Sequence, residues 1–205
     1  MKAKELLLGF DAREIASEDS SQWDAQRRER FLFRLDVLRP LSTDTIVWPS
    51  LCDNDLRIAS SPGHQDLWSD LQRLQSCTSA LDRSIRRHCY IIAITLHLSE
   101  GDEAEQNYWQ AQVTYTTPST RQEGWSFLGY DVSDRWLLSG LSNCGFVPPE
   151  DDVQALRQQW GNKLNAYHLF DELKHAIEFK GFSNRRVVEH SPFFVFGIWL
   201  ISPNL

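Results

Sequence analysis

The chain has 205 residues, of which 41% are hydrophobic and 24% are charged, and its formal net charge is −7. This length and composition fit one ordinary globular domain, and they exclude a disordered chain or a small scaffold that depends on disulfides. The excess of acidic residues argues against nucleic acid as a partner, because phosphate backbones attract Lys and Arg.

The first part of the chain predicts two helices. Residues 3–10 fit either a strand or a short helix, and residues 11–21 predict a polar loop. A helix near 21–36 follows from apolar residues at helical spacing, although alternating apolar residues leave a strand open for its second half. Ser61-Pro62 is typical of a helix N-terminus and opens a helix near 62–86, whose leucines lie on one face.

The middle of the chain changes to a period of two residues. Strands are predicted near 88–98 and 108–117, where β-branched and aromatic residues alternate with others. The loop between these strands is acidic, and its carboxylates include Glu100, Asp102 and Glu103. Such a loop suits long-range attraction of a basic partner protein.

The remaining elements complete an α+β pattern. A third strand is predicted near 125–130, helices near 150–161 and 166–179, and an aromatic-rich buried strand near 193–201. Short links between successive strands favour antiparallel pairing. The sequence therefore predicts a single α+β domain over 1–205, with a mainly antiparallel sheet packed with helices.

The apolar runs of the chain are short. Leu6 to Leu8 is followed closely by Asp11, which leaves a run too short for a secretory signal. No stretch of about 20 apolar residues occurs, so we expect no membrane-spanning segment. The four cysteines are widely spaced and match neither a disulfide framework nor a zinc module. We therefore expect a protein of the reducing cytoplasm.

The segment 124–146 is the densest in residues with special backbone or recognition uses. It predicts a strand, a turn and a short helix capped by Ser133 or Asp134. The competing explanation is that its glycines serve turns and its aromatic residues serve the core. The functional explanation is a recognition edge at one end of the sheet. The partner-binding residues expected there are Tyr130, Asp131, Asp134, Trp136 and Asn143.

Part of this segment resembles a known family. Residues 127–134, Phe-Leu-Gly-Tyr-Asp-Val-Ser-Asp, and residues 138–146, Leu-Ser-Gly-Leu-Ser-Asn-Cys-Gly-Phe, are similar to a pattern in small bacterial immunity proteins that accompany secreted toxins. The resemblance implies a cytoplasmic protein that binds a cognate toxin, such as a basic toxin domain, and blocks its active site. It carries over no catalytic residue and no cofactor.

An alternative is a small hydrolase-type enzyme. Cys144 would be its nucleophile, although the C-terminal end of a helix disfavours a thiolate. Otherwise His168, Asp171, Glu172 and His175 would offer metal ligands three or four residues apart on the last predicted helix. A solvated helix face is the better explanation of those four residues, because His168 and His175 lie two turns apart and His-Glu-x-x-His is absent. We therefore expect a non-enzymatic protein without catalytic residues, metal or cofactor.

Overall fold

The structure is a computed structural model, and it describes residues 4–15, 38–40, 67–68, 70–87, 89–98, 107, 124–135, 137, 139–141 and 152–201. Its strands are β1 (Lys4–Ile15), β2 (Leu38–Pro40), β3 (Cys89–Leu98), β4 (Trp125–Ser133) and β5 (Phe194–Ile201). Its helices are α1 (Leu71–Ser79), α2 (Arg83–Arg86), α3 (Val153–Gly161) and α4 (Leu173–Arg186), followed by a 3₁₀ turn at Val188–His190.

The described strands form one sheet in the order β2-β1-β3-β5-β4. Strands β1 and β3 pair antiparallel, from Lys4 opposite Leu98 to Glu14 opposite Cys89, with a register shift between Leu7 and Gly9. The fold is α+β with a mainly antiparallel sheet, as the sequence predicts. The predicted elements near 88–98, 125–130, 150–161 and 193–201 are confirmed as β3, β4, α3 and β5.

The chain divides into two compact units, described separately below. Unit 1 contains the described residues of Met1–Ile15, Arg39–Phe127 and Phe196–Leu205, and unit 2 those of Ala16–Leu38 and Leu128–Val195. Strands β4 and β5 contribute residues to both units. The single domain over 1–205 stays a prediction.

The core of unit 1 combines side chains of α1 with the apolar faces of its strands. Phe10 and Trp68 exchange two backbone hydrogen bonds of 2.8 Å, which hold the chain before α1 extended along β1. A Cβ at Gly9 would lie 2.9 Å from the Trp68 carbonyl oxygen, so this close approach requires glycine. The buried core residues include Leu7, Phe10, Trp68, Leu74, Ile91, Ala93, Trp125 and Trp199.

In the described part of the predicted helix near 62–86, the structure has two separate helices, α1 and α2. Trp68 pairs with β1, and α1 begins after Asp70, whose carboxylate accepts from Arg73 N at 3.2 Å. Asp82 caps the separate helix α2 in the same way, with Ser84 N at 2.8 Å. The predicted loop over 11–21 is wrong for residues 11–15, where β1 continues.

The core of unit 2 is built around Trp160 at the end of α3. Its ring makes T-shaped contacts with Phe170 and Phe179, at centroid distances of 6.4 and 4.9 Å. Such aromatic pairs add to the free energy gained by burying apolar area. The other buried members of this core are Val132, Leu141, Ala176, Phe193 and Val195.

Several predicted features lie outside the described residues, namely the helix near 21–36, the strand near 108–117 and the start of the helix near 62–86. No helix in the described part of the chain is long and apolar enough to span a membrane.

Cys77 is disulfide-bonded, and its bonding partner lies outside the described residues. The cysteine spacing did not indicate this bond. Cys89 is a free, buried thiol.

Candidate functional site

A tight turn follows strand β4 where the sequence predicts a short helix. Ser133 and Ser139 form an antiparallel bridge, and Gly140 N donates to Val132 O at 2.8 Å. Leu137 N donates to Asp134 O at 3.1 Å. The predicted helix is wrong because these backbone groups pair across the turn rather than along a helix. We call the described residues of 134–141 the recognition turn.

The Asp131 carboxylate joins both sides of the recognition turn. Its Oδ1 accepts from Val132 N at 2.8 Å and from Ser139 Oγ at 2.7 Å. Its Oδ2 accepts from Ser133 Oγ at 2.5 Å. Both serines are buried, so the carboxylate satisfies hydroxyl groups that are withdrawn from water. Asp131 therefore fixes the geometry where the chain leaves β4.

The Asp134 carboxylate lies inside the protein and meets a histidine from a distant segment. Its side chain has 0% exposure, and Asp134 Oδ2 lies 3.0 Å from His190 Nδ1. With the carboxyl group ionised, this hydrogen bond is donated by the Nδ1–H group of His190, because a carboxylate only accepts. The His190 side chain is 37% exposed. The pair thus links a buried charge to a ring that reaches the surface.

The recognition turn contains a strained leucine. Leu137 has φ 60°, in the left-handed region that side chains with a Cβ rarely adopt. This conformation costs about 1–2 kcal/mol for an L-residue and persists where surrounding contacts determine it. The hydrogen bonds of Asp131 and Asp134 are such contacts.

A second turn, 165–170, lies against strand β4 within unit 2. Tyr130 and Phe170 exchange two backbone hydrogen bonds of 2.8 Å. Asn165 Nδ2 donates to Leu128 O at 2.6 Å, and Asn165 Oδ1 accepts from Leu169 N at 3.2 Å. Because 165–170 is held in this turn, helix α4 begins at Leu173 and not at the predicted 166.

The structure describes three of the predicted partner-binding residues, Tyr130, Asp131 and Asp134. Tyr130 and Asp131 are half-buried neighbours on β4, consistent with an edge that presents aromatic and polar groups. Asp134 does not offer its carboxylate to a partner, because the group is buried against His190. The other predicted contacts lie outside the described residues: Trp136, Asn143, Glu100, Asp102 and Glu103.

His190 is the member of the site that sequence reasoning missed. It lies 56 residues from Asp134, so no local spacing connects the two. The chain around His190 carries one usable signal, because the run Glu-His-Ser-Pro marks a corner between α4 and β5. That signal predicts a turn, and it does not predict which carboxylate the histidine meets.

The predicted metal face is corrected by the structure. Of its four residues only His175 lies within α4, while His168 sits in the preceding turn with φ 55°. Glu172 forms an ion pair with Lys174 at 2.9 Å, and that hydrogen bond lowers the pKa of the Glu172 carboxyl group. No group of three or more potential metal-binding side chains occurs in the described ranges. Cys144 lies outside them.

Comparison with protein families, with curated proteins and with solved structures finds no match to this chain. The function is therefore argued from the chain's own residues.

Proposed function

We propose that the protein is a non-enzymatic protein-binding protein of the immunity type, which binds a cognate toxin in the cytoplasm and blocks its active site. The segment 127–146 supports this assignment through its resemblance to immunity proteins. The net charge of −7 fits a basic toxin domain, because complementary charge speeds encounter and favours the correct partner.

The observation that carries the proposal is the strained Leu137 in the recognition turn. Glycine adopts φ 60° without the cost that leucine incurs. A turn that served only to reverse the chain would gain stability from glycine here. The leucine side chain therefore has a use that offsets its strain, and we propose that it contacts the toxin.

The rigidity of the recognition turn supports the same proposal. Association is weakened by the entropy lost when flexible loops become ordered, and a surface held in its bound conformation avoids that loss. The carboxylates of Asp131 and Asp134 hold this turn through groups inside the protein. Their oxygens serve internal geometry, and this favours a binding surface over a catalytic one.

The experiment is a tagged pull-down from the native host, followed by growth assays with the recovered toxin. The decisive variant is Leu137→Gly, which removes the side chain at a φ that suits glycine. Val188→Ala is the matched control, because Val188 is an apolar residue of unit 2 that is 73% exposed and outside the recognition turn.

The wild-type chain and V188A should protect cells from the toxin, whereas L137G should fold normally and protect poorly. Loss of one central apolar contact typically weakens affinity by roughly tenfold or more. Full protection by a folded L137G would remove Leu137 from the interface. Recovery of no toxic protein with the wild-type chain would refute the immunity function itself.

A further inference from the structure

His190 occupies a fixed corner between α4 and β5. Its backbone N–H donates to Val187 O at 3.2 Å. The residues after it are held by Asn184, whose Oδ1 accepts from Ser191 Oγ at 3.2 Å and from Phe193 N at 2.7 Å. The imidazole ring therefore projects from a backbone whose position is determined by its own hydrogen bonds.

The hydrogen bond between this ring and Asp134 satisfies a carboxyl group that lies inside the protein. Asp134 is completely buried, and a buried carboxylate is costly unless donors compensate it. Removal of the His190 ring would take away one hydrogen-bonding partner of that buried carboxyl group. Leu137 N donates to Asp134 O at 3.1 Å, so a change in the position of Asp134 would be passed directly to Leu137.

We propose that His190 is a positioning residue for toxin binding. Through Asp134 it holds the recognition turn in the conformation in which Leu137 has φ 60°, while its own ring stays 37% exposed. This inference rests on the proposed function, and it adds a residue that neither the family resemblance nor the sequence pattern identifies. His190 acts through the turn, so it is not a catalytic group.

The test compares two replacements of His190. His190→Asn keeps an N–H donor close to the position of Nδ1, whereas His190→Phe keeps a ring and removes the donor. His175→Asn is the control, because His175 is another partly buried histidine of unit 2, in the first turn of α4. Two quantities are measured for each full-length protein: amide hydrogen exchange at Leu137 and Gly140, and affinity for the purified toxin recovered with the wild-type chain.

We expect H190F to speed exchange at Leu137 and Gly140 by roughly tenfold or more and to weaken toxin affinity by a similar factor, as loss of a hydrogen bond to a charged group implies. H190N should restore both quantities to within about threefold of wild type, and H175N should change neither. Recovery by asparagine separates positioning from a general loss of stability.

Three results would overturn the inference. One is unchanged exchange at Leu137 and Gly140 in H190F, which would show that His190 does not hold the turn. Another is faster exchange throughout unit 2, which would indicate general destabilisation. The third is faster local exchange with full toxin affinity, which would separate the turn from binding. If the wild-type chain recovers no toxin, the proposed function fails, whereas the exchange measurement still decides whether His190 holds the turn.

Discussion

Two carboxylates three positions apart have different surroundings in this protein. Asp131 is half-buried and accepts hydrogen bonds from a backbone N–H and two serine hydroxyls. Asp134 is fully buried and meets His190. Both groups are used within the protein, so a functional effect of replacing either would arise through the recognition turn. In the proposed function, the side chains that these two residues position, such as Leu137, make the contact with the toxin.

Replacement of Asp131 should therefore cost stability as well as binding. Asp131→Ala leaves the buried hydroxyls of Ser133 and Ser139 without their acceptor, and we expect the free energy of unfolding to fall by about 2–4 kcal/mol. Glu5→Ala is the control, because Glu5 is exposed on β1 and its replacement should cost below about 1 kcal/mol. Urea denaturation measures both. Equally small losses in the free energy of unfolding of the two variants would show that the hydrogen bonds of Asp131 contribute little to stability.

Cys89 should be chemically inert in the folded protein. Burial, with a smaller contribution from the Asp11 charge, raises the pKa of the Cys89 thiol to about 11. The thiolate is the reactive form, so alkylation at pH 8 should be slow in native protein and fast after unfolding. Because the folded pKa lies above the unfolded value, the thiol's contribution to stability is present at neutral pH and is lost as the pH rises towards 11. Rapid native alkylation would contradict this burial.

At the scale of secondary-structure elements, strand β4 depends on a close approach to the turn 165–170. Gly129 has φ 143°, and a Cβ there would lie 2.7 Å from Leu169 Cβ and 3.0 Å from Phe170 O. Neither neighbour is the end of a flexible side chain. Glycine is therefore required at this position by backbone conformation and by space together.

Gly129→Ala should lower the free energy of unfolding by about 3 kcal/mol or more, since backbone strain and overpacking add. Gly124→Ala is the matched control, because Gly124 also has positive φ, at 94°, but among the described residues no atom beyond its chain neighbours lies within 4 Å of its hypothetical Cβ. Thermal unfolding of both variants measures the difference. Similar losses in the two proteins would mean that strain alone, without the contact to Leu169, accounts for the effect.

The elements that the sequence predicts well are those with a strong local pattern. Strands β3 and β5 are rich in β-branched or aromatic residues, and α3 combines the Asp152 cap with apolar residues at helical spacing. Helix α4 was placed too early because Asn165 forms its turn with a distant strand. Strand β1 continues to Ile15. Because its last residues are mostly polar and lack an apolar period, the sequence predicts a loop there.

The residues of the candidate site also differ in whether a local sequence pattern predicts their placement. Tyr130 and Asp131 could be assigned to one corner because they are adjacent in the chain and follow a recognisable strand. The burial of Asp134 and its bond to His190 depend on a contact across 56 residues, which no local pattern encodes. Leu137 carries no sequence signal either, because its residue type does not predict a left-handed backbone.

At the scale of the whole molecule, the Cys77 disulfide bears on where the protein works. Cytoplasmic thiol systems keep most protein cysteines reduced, whereas disulfides persist in oxidising compartments such as the bacterial periplasm. A cytoplasmic location therefore predicts a reduced Cys77, whereas Cys77 is disulfide-bonded in the structure. In the cell, either Cys77 is reduced or the protein lies in a compartment other than the cytoplasm.

We expect Cys77 to be a thiol inside cells. Its disulfide would then form only after lysis, when the protein is exposed to air. Rapid acid quenching of intact host cells, alkylation under denaturing conditions and mass spectrometry measure its state. Cys89 is the internal reference, because it is free and should be alkylated completely once the chain is unfolded. Purified protein held under air serves as the oxidised control.

A disulfide at Cys77 in the quenched cells would refute the cytoplasmic location and place the protein in an oxidising compartment. The toxin would then be met there, since an immunity protein can block only a toxin that shares its compartment.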